Sequence, residues 1–204
     1  GSTVKSISNK DNVEVCFGKE TSKSENKKIK LPDIDDINNR INYDQIRALA
    51  DSASLKLRFS DNQTFKSYEP SGNISKKLYK IAEKIRYEKL GSEKFKGIKN
   101  NIEKYYNERI NSLDLKNSED KIVESFENYL REKFFQIKND KDLEKKLKSY
   151  KKDLDNQFKG KIKELNDLAN DQAKYNNLIS NLISKMNLDE NFENEDKKDD
   201  ENKN

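Results

Sequence analysis

The chain has 204 residues, 31% of them hydrophobic and 39% charged, and contains only two Pro and six Gly, which favours one domain built of long helices. It has no His and one Cys, which excludes His-based acid–base catalysis, a Ser/His or Cys/His nucleophilic pair, an internal disulfide and a thiolate metal site. The formal net charge is +4, but the acidic segment 189–204 holds eight acids and three lysines, so the rest carries 39 basic and 30 acidic residues, a net +9. A basic body indicates nucleic acid, an acidic partner or simply solvated helix faces.

The first predicted element is a small β-hairpin over residues 13–31. Val13–Phe17 (V-E-V-C-F) and Lys28–Leu31 (K-I-K-L) alternate in the way that half-buried strands do. A hairpin of this size is marginally stable alone, so we expect it to lie on the helical body. Residues 1–12 are predicted to be disordered, and Gly1–Ser2 are typical of a cloning scar.

Helices are predicted to occupy residues 34–188. The first begins near Asp35 or near Asn42, which could cap it, and a short helical turn containing Phe65 and Tyr68 follows. The apolar stripe of the first helix recurs at helical spacing and comprises Ile46, Leu49, Ala50, Ala53 and Leu57.

The next helix is predicted to run from a cap at Asn73 to Gly91 at the C′ position, where a left-handed residue closes a helix. Ser92 then caps the following helix. Its Gly97 costs about 1 kcal/mol relative to Ala, and the close approach of another helix would explain this glycine. The inner face of the Asn73 helix comprises Ile74, Leu78, Ile81, Ala82 and Ile85.

A further helix is predicted to begin at Ser118–Asp120, where acids face the positive end of the helix dipole. The apolar pattern of residues 143–186 indicates one very long helix or two helices separated near Gly160. Gln172 falls on the inner face of this pattern, so we expect it to make hydrogen bonds as a polar lock between helices. The acidic tail 189–204 is predicted to be disordered.

No catalytic, cofactor-binding or metal-binding residue is predicted. Asp33–Asp36 could hold a divalent ion through oxygen ligands, or form a solvated acidic cluster, and it lacks the Gly and the terminal Glu of a calcium loop. The sequence has no Walker A loop, no dinucleotide glycine motif, no visible signal peptide and no apolar run approaching the roughly 20 residues of a membrane span. The single Cys16 is consistent with a reducing cytoplasm.

Four charged residues form a candidate partner-binding patch. The patch comprises Arg47, Asp51, Arg86 and Glu88. The alternative is structural: Arg86 binds an acid on a neighbouring helix, and Asp51, beside small residues on the first helix, is a plausible partner for it.

Taken in order, the short motifs resemble the N-terminal region of the CobT subunit of aerobic cobaltochelatase. Ala48 and Ser54 depart from the glycine and alanine usual in that family, and histidines common after its first helix are missing. The matching segments are Val13–Gly18, Leu31-Pro32, Arg47 with Ala50, Asp51, Leu55 and Leu57, Pro70 with Gly72, Glu83 with Arg86, Glu88 and Gly91, Gly97 with Asn101, and Asn170-Asp171-Gln172 with Tyr175.

This resemblance implies a subunit of a three-subunit, ATP-dependent, ligase-type enzyme that inserts cobalt(II) into a corrin ring during cobalamin synthesis. In such an enzyme a large subunit holds the tetrapyrrole and an AAA+ subunit hydrolyses ATP. The CobT-like subunit pairs with the ATPase and couples it to the large subunit. Cobalt, ATP and magnesium belong to the whole complex, and no cofactor is expected in this fragment. The family's von Willebrand A-like domain, with its adhesion-type metal site, is expected beyond Asn204.

The patterns along the chain predict a mainly α, multi-helix domain over residues 13–188 with a small N-terminal hairpin, located in the cytoplasm. The resemblance adds a non-catalytic assembly role for this domain. If the charged patch contacts the ATPase subunit, Arg86→Ala should weaken that binding without lowering the melting temperature. Two alternatives remain: a coiled-coil structural protein using the long apolar pattern after Leu147, and a nucleic-acid binder using the basic body.

Overall fold

The computed structural model describes residues 2–17, 27–31, 43–111, 115, 117–137 and 141–188, and it confirms the mainly helical fold class. The predicted acidic cluster Asp33–Asp36, the helix start near Asp35 or Asn42 and the acidic tail 189–204 lie outside the described residues. In chain order the elements are α1 Ser2–Ser8, β1 Val13–Phe17, β2 Lys27–Leu31, α2 Tyr43–Phe59, α3 Asn62–Ser67, α4 Asn73–Lys94, α5 Lys96–Asn111, α6 Ser118–Phe135, α7 Lys141–Phe158, α8 Ile162–Asp167 and α9 Gln172–Ser184.

Contacts within the chain gather these elements into two compact units. The first unit combines Gly1–Ser60 with Tyr87–Arg109, and the second combines Asp61–Arg86 with Ile110–Asn204. Helix α4 therefore contributes its residues up to Arg86 to the second unit and the remainder to the first. Compact units need not be separate domains, so a single domain over residues 13–188 stays a prediction.

The first unit begins with a helix where the sequence predicted disorder over residues 1–12. Helix α1 packs against α2 and buries Val4 and Ile7, which are three residues apart and so share one face. Arg58 NH1 donates a hydrogen bond of 2.9 Å to the carbonyl oxygen of Ile7. A helix of two turns is marginal alone, so these tertiary contacts explain why it forms and why its own sequence gave no sign of it.

The two strands pair in parallel, so the predicted β-hairpin is wrong although both strands exist. Val15 lies opposite Ile29, and Phe17 lies opposite Leu31. Alternation fixes which residues share a face of a sheet, but it does not fix the strand direction. That direction depends on the path of residues 18–26, which connect the strands and lie outside the described ranges.

Helix α2 is covered on two sides. The predicted stripe is half-buried and packs on a small core of Val4, Val13, Ile29 and Leu31. The other side, which the sequence pattern predicts to be polar, is more deeply buried. Its buried residues are Ala48, Asp51, Ser52, Ser54 and Leu55. Apart from Leu55, these residues are small or polar, which hides this second buried side from a hydrophobicity pattern.

Helix α4 begins at Asn73 and buries most of its predicted inner face, but it does not end at Gly91. It continues to Lys94, and α5 begins at Lys96, so neither the C′ position of Gly91 nor the cap at Ser92 is correct. Among the described residues, no atom other than those of its chain neighbours and its own helix backbone lies within 4 Å of a Cβ built at Gly97, so the predicted close approach of another helix is also wrong.

In the second unit, side-chain caps mark where helices begin. Asp61 caps α3 by accepting a hydrogen bond of 2.7 Å from the backbone N–H of Thr64. Asn117 caps α6 in the same way, and acids follow in the first turn as predicted. Because each cap satisfies a backbone donor that the helix leaves unpaired, these starts are readable from sequence.

The apolar pattern of residues 143–186 forms three helices rather than one or two. The predicted break near Gly160 separates α7 from α8. A second break precedes α9, where Asp171 accepts a hydrogen bond of 3.1 Å from the backbone N–H of Lys174 and caps the helix. These helices contribute fully buried side chains to the core of the second unit, namely Leu154, Phe158, Leu165, Tyr175, Ile179 and Ile183.

Candidate functional site

The charged motif residues of the first unit lie in contacts between its helices. Asp51 on α2 is only 5% exposed. Its Oδ2 accepts a hydrogen bond of 2.7 Å from Asn101 Nδ2 on α5. Burial raises the pKa of the Asp51 carboxyl, while the bond from Asn101 and the positive charge of Arg47 act in the opposite direction. The nearly buried carboxyl group thus links α2 to α5 through this hydrogen bond.

Glu88 on α4 is buried in a similar contact, and the nearby Gly91 leaves space for a side chain of α2. Glu88 is 1% exposed, and its Oε1 accepts a hydrogen bond of 2.5 Å from Ser52 Oγ. One turn further along α4, Leu55 packs directly on Gly91, with no room between them for another carbon atom. Glu88 and Gly91, two motif residues of α4, therefore hold α2 against α4.

The second unit contains a buried ion pair within α4. Arg86 donates two hydrogen bonds of 2.8 Å to the two carboxylate oxygens of Glu83, from Nε to Oε2 and from NH2 to Oε1. Its NH1 donates a third, of 2.9 Å, to the carbonyl oxygen of Ala169. Arg86 and Glu83 are 1% and 2% exposed. The planar guanidinium matches this fork of acceptors, which an ammonium group would not.

Gln172 extends this contact to a third segment, which confirms the predicted polar lock. Its Nε2 donates to Glu83 Oε1 at 3.1 Å and to the carbonyl oxygen of Asp61 at 3.0 Å. Its Oε1 accepts from the backbone N–H of Asp61 at 2.8 Å. One side chain therefore fixes α9 to α4 and to the residue that caps α3.

Tyr175 closes the cluster from the next turn of α9. Its hydroxyl donates to the carbonyl oxygen of Ala82 at 3.0 Å, and its ring lies 6.0 Å from the Arg86 guanidinium carbon. The side chain is fully buried, and burial raises the pKa of the Tyr175 hydroxyl, with a further rise from the charge of Glu83. The hydroxyl is thus a fixed hydrogen-bond donor.

The first unit also has an open groove on its surface, with a volume of about 390 Å³. Arg47 and Asp51 both line it, and the Arg47 side chain is exposed to solvent. Two exposed aromatic side chains lie along it, Phe17 at 38% and Tyr43 at 76%. The remaining lining residues are Thr3, Val4, Val15, Leu31, Ile46 and Ala50.

The four residues predicted as a partner-binding patch differ in their exposure to solvent. Arg47 is on the surface and Asp51 lies under it in the groove wall, whereas Arg86 and Glu88 are buried in contacts inside their own units. The alternative hypothesis, a structural role for Arg86, agrees with this burial. Its predicted partner, Asp51 on a neighbouring helix, is wrong, because the carboxylate that binds Arg86 belongs to Glu83 on the same helix. The binding role of the patch stays a prediction.

Sequence reasoning also missed several residues of these contacts. Ser52 and Asn101 are ordinary polar residues in sequence, and only the fold brings them to Glu88 and Asp51. The spacing of Glu83 and Arg86 by three residues was a usable signal, since such pairs meet on one helix face. For the groove there was a weaker signal: Tyr43 lies outside the apolar stripe of α2.

Within the ranges that the structure describes, no three or more His, Cys, Asp or Glu side chains come together as a metal site. Among the same residues, no helix combines the length and the apolar character that crossing a membrane requires.

Replacing Asp51 by Asn is expected to change how stability depends on pH. Because the pKa of Asp51 is raised in the folded state, its charged carboxyl destabilises the folded state at neutral pH. This cost disappears as the pH falls through the folded-state pKa towards the unfolded-state pKa of 3.8. The Asn side chain avoids the cost and still accepts a hydrogen bond from Asn101. The stability of the Asp51→Asn variant, measured relative to wild type, should therefore decrease as the pH is lowered from about 7 to about 4.

Urea unfolding of wild type and Asp51→Asn at several pH values measures this difference. The variant Asp153→Asn removes one exposed carboxylate from α7 and controls for the change of net charge. A difference between wild type and Asp51→Asn that stays constant across the pH range would contradict the prediction.

Together these elements and contacts define a mainly helical protein in which charged side chains of short motifs hold helices in place. The family model described as cobalamin biosynthesis protein CobT matches residues 1–204, the whole length of the chain. The chain belongs to the CobT family, which confirms the resemblance seen in its motifs and gives it a role in cobalamin biosynthesis. No solved structure matches the chain.

Proposed function

We propose that this chain is a non-catalytic assembly and coupling domain of a cytoplasmic cobaltochelatase. In this proposal it binds the AAA+ ATPase subunit and connects it to the large tetrapyrrole-binding subunit, so that ATP hydrolysis drives the insertion of cobalt into the corrin ring. ATP and magnesium act on the ATPase subunit, and cobalt is a substrate of the complex. Membership of the CobT family and the order of the motifs support this role.

The observation that carries the proposal is the burial of the charged motif residues. Asp51, Glu83, Arg86 and Glu88 are each at most 5% exposed and each binds a neighbouring group of its own unit. A general acid or base must come within hydrogen-bond reach of its substrate, and these groups are instead used to hold helices. They support a rigid scaffold, which is what a coupling domain requires.

The structure favours neither of the two alternatives. A coiled-coil seam after Leu147 needs a continuous helix, whereas the apolar pattern is divided among α7, α8 and α9. A nucleic-acid surface needs lysines available for phosphates, but several lysines bind carboxylates one turn away. These pairs are Lys89–Glu93, Lys99–Glu103, Lys161–Glu164 and Lys163–Asp167.

Reconstitution with the purified ATPase and large subunits tests the proposal. The chain should co-elute with the ATPase subunit in the presence of ATP and magnesium, and a complex of all three proteins should form when the large subunit is added. An unrelated helical protein of similar net charge controls for non-specific electrostatic association. Failure of the folded chain to associate with either subunit at micromolar concentration would refute the assembly role.

A further inference from the structure

The exposed aromatic side chains of the first unit are concentrated at the groove. Among the residues that the structure describes, the large hydrophobic side chains with high exposure are Phe17 and Tyr43, and both line this groove. Exposed aromatic residues at the edge of an apolar depression are typical of protein-binding surfaces, because they add contact area at a low cost in conformational entropy.

The floor of the groove is apolar and is formed by four elements. Val4 comes from α1, Val15 from β1, Leu31 from β2, and Ile46 and Ala50 from α2. A volume of about 390 Å³ is at the small end of ligand pockets. It therefore suits one or two side chains of a chain segment rather than the surface of a whole domain.

The charged residues at the groove indicate what kind of partner segment would bind there. Among its lining residues, Arg47 and Asp51 are charged. The Arg47 side chain is exposed, whereas the Asp51 carboxyl is nearly buried and accepts a hydrogen bond from Asn101. The groove thus presents a cation above an apolar floor, and this complements an anion beside an apolar side chain.

Helix α2, which lines the groove, is also held in place by contacts with α4 and α5. The side of α2 that faces away from the strands is fixed by Asp51 to Asn101, by Ser52 to Glu88 and by Leu55 to Gly91. Arg47 and Tyr43 are on this same helix, one turn apart. A binding surface that is already ordered loses less entropy when a partner docks.

We propose that this groove docks a short segment of a cobaltochelatase partner subunit in which an apolar side chain is followed closely by Asp or Glu. The apolar side chain occupies the floor between Phe17 and Tyr43, and the carboxylate binds Arg47. This inference rests on the proposed assembly function and assigns that function to a particular surface.

Two variants test the surface directly. Tyr43→Ala and Arg47→Glu should each weaken binding to the partner subunit by about tenfold or more, because Tyr and Arg are frequent binding hot spots. Both side chains are exposed, so both variants should remain folded, and Tyr43→Ala should keep the melting temperature of wild type. Lys96→Glu makes the same change of charge at an exposed position of the first unit outside the groove, and it should bind like wild type. Arg47→Lys keeps the charge and should retain most of the affinity.

Photocrosslinking identifies what occupies the groove. A photoreactive benzoylphenylalanine at position 43, in the reconstituted complex, should crosslink to a partner segment that contains Asp or Glu beside apolar residues. Crosslinks confined to this chain, to a second copy of it, or to a basic segment would overturn the inference, as would no crosslink in a complex that still forms.

The outcomes also separate this inference from the proposed function. If wild type binds the other subunits but Tyr43→Ala and Arg47→Glu bind equally well, the assembly function stands and the groove is not its surface. If wild type binds neither subunit, the assembly function is refuted and the inference falls with it.

Discussion

Replacing Arg86 by Ala should lower the melting temperature of the chain by an amount on the order of 10 °C. The change removes the hydrogen bonds that Arg86 donates to Glu83 and Ala169, and it takes the guanidinium group away from the buried Glu83 carboxylate. Breaking a buried ion pair by removing one partner costs about 3–5 kcal/mol. Of the two hypotheses from sequence, the structural alternative for Arg86 agrees with this expected loss, whereas the patch hypothesis predicted that replacing Arg86 would spare stability.

The origin of this loss can be checked with a second substitution. Glu83→Gln removes the buried negative charge that Arg86 balances, so the double variant Glu83→Gln/Arg86→Ala should be more stable than Arg86→Ala alone. Lys80→Ala deletes an exposed cation from the same helix and should change stability by less than about 0.5 kcal/mol. Calorimetry of the four proteins measures these differences. A melting temperature for Arg86→Ala within about 2 °C of wild type would show that the buried pair is not a major contributor.

The helices of this chain could be predicted because their signals are local. Asn117 precedes α6 and satisfies a backbone donor at its start, acids follow in its first turn, and the inner face of α4 repeats at helical spacing. The need of Gln172 for hydrogen bonds was also predictable, because a polar side chain on an inner face must be satisfied. Which groups would supply those bonds, Asp61 and Glu83, was not predictable from spacing.

The features that could not be predicted depend on residues distant in sequence. The parallel pairing of β1 and β2 depends on the route of their connection rather than on the alternation of either strand. Helix α1 exists because α2 and Arg58 hold it. The groove is formed by four separate elements, and its two exposed aromatic residues are 26 positions apart in sequence. No local pattern contains that information.

Gly91 shows the same limit most clearly, because its sequence context is typical of a helix end although the helix continues through it. Its role is to admit Leu55: a Cβ atom at position 91 would lie 2.8 Å from Leu55 Cγ and closer still to both methyl carbons. A glycine at a C′ position is selected for its backbone conformation, whereas this one is required for space. The two roles predict opposite results for substitution.

Gly91→Ala should therefore destabilise the chain by about 1–3 kcal/mol, the usual cost of adding a carbon to a filled core. In an open helix the same change would stabilise by roughly 0.5–1 kcal/mol, because Ala has the higher helix propensity. Gly97→Ala in α5 supplies that comparison, since no described atom outside its own helix backbone and chain neighbours lies within 4 Å of its Cβ position. We expect opposite signs for these two substitutions in chemical denaturation experiments.

A double-mutant cycle with Leu55 tests the cause of the destabilisation. Leu55→Ala should itself cost about 2–5 kcal/mol, because the side chain is fully buried. In that background the methyl group of Gly91→Ala enters vacated space, so the second substitution should become neutral or stabilising. The cycle should then give a coupling energy of at least about 1 kcal/mol. If Gly91→Ala has the same effect with Leu and with Ala at position 55, or stabilises wild type as Gly97→Ala does, close packing is not the reason for this glycine.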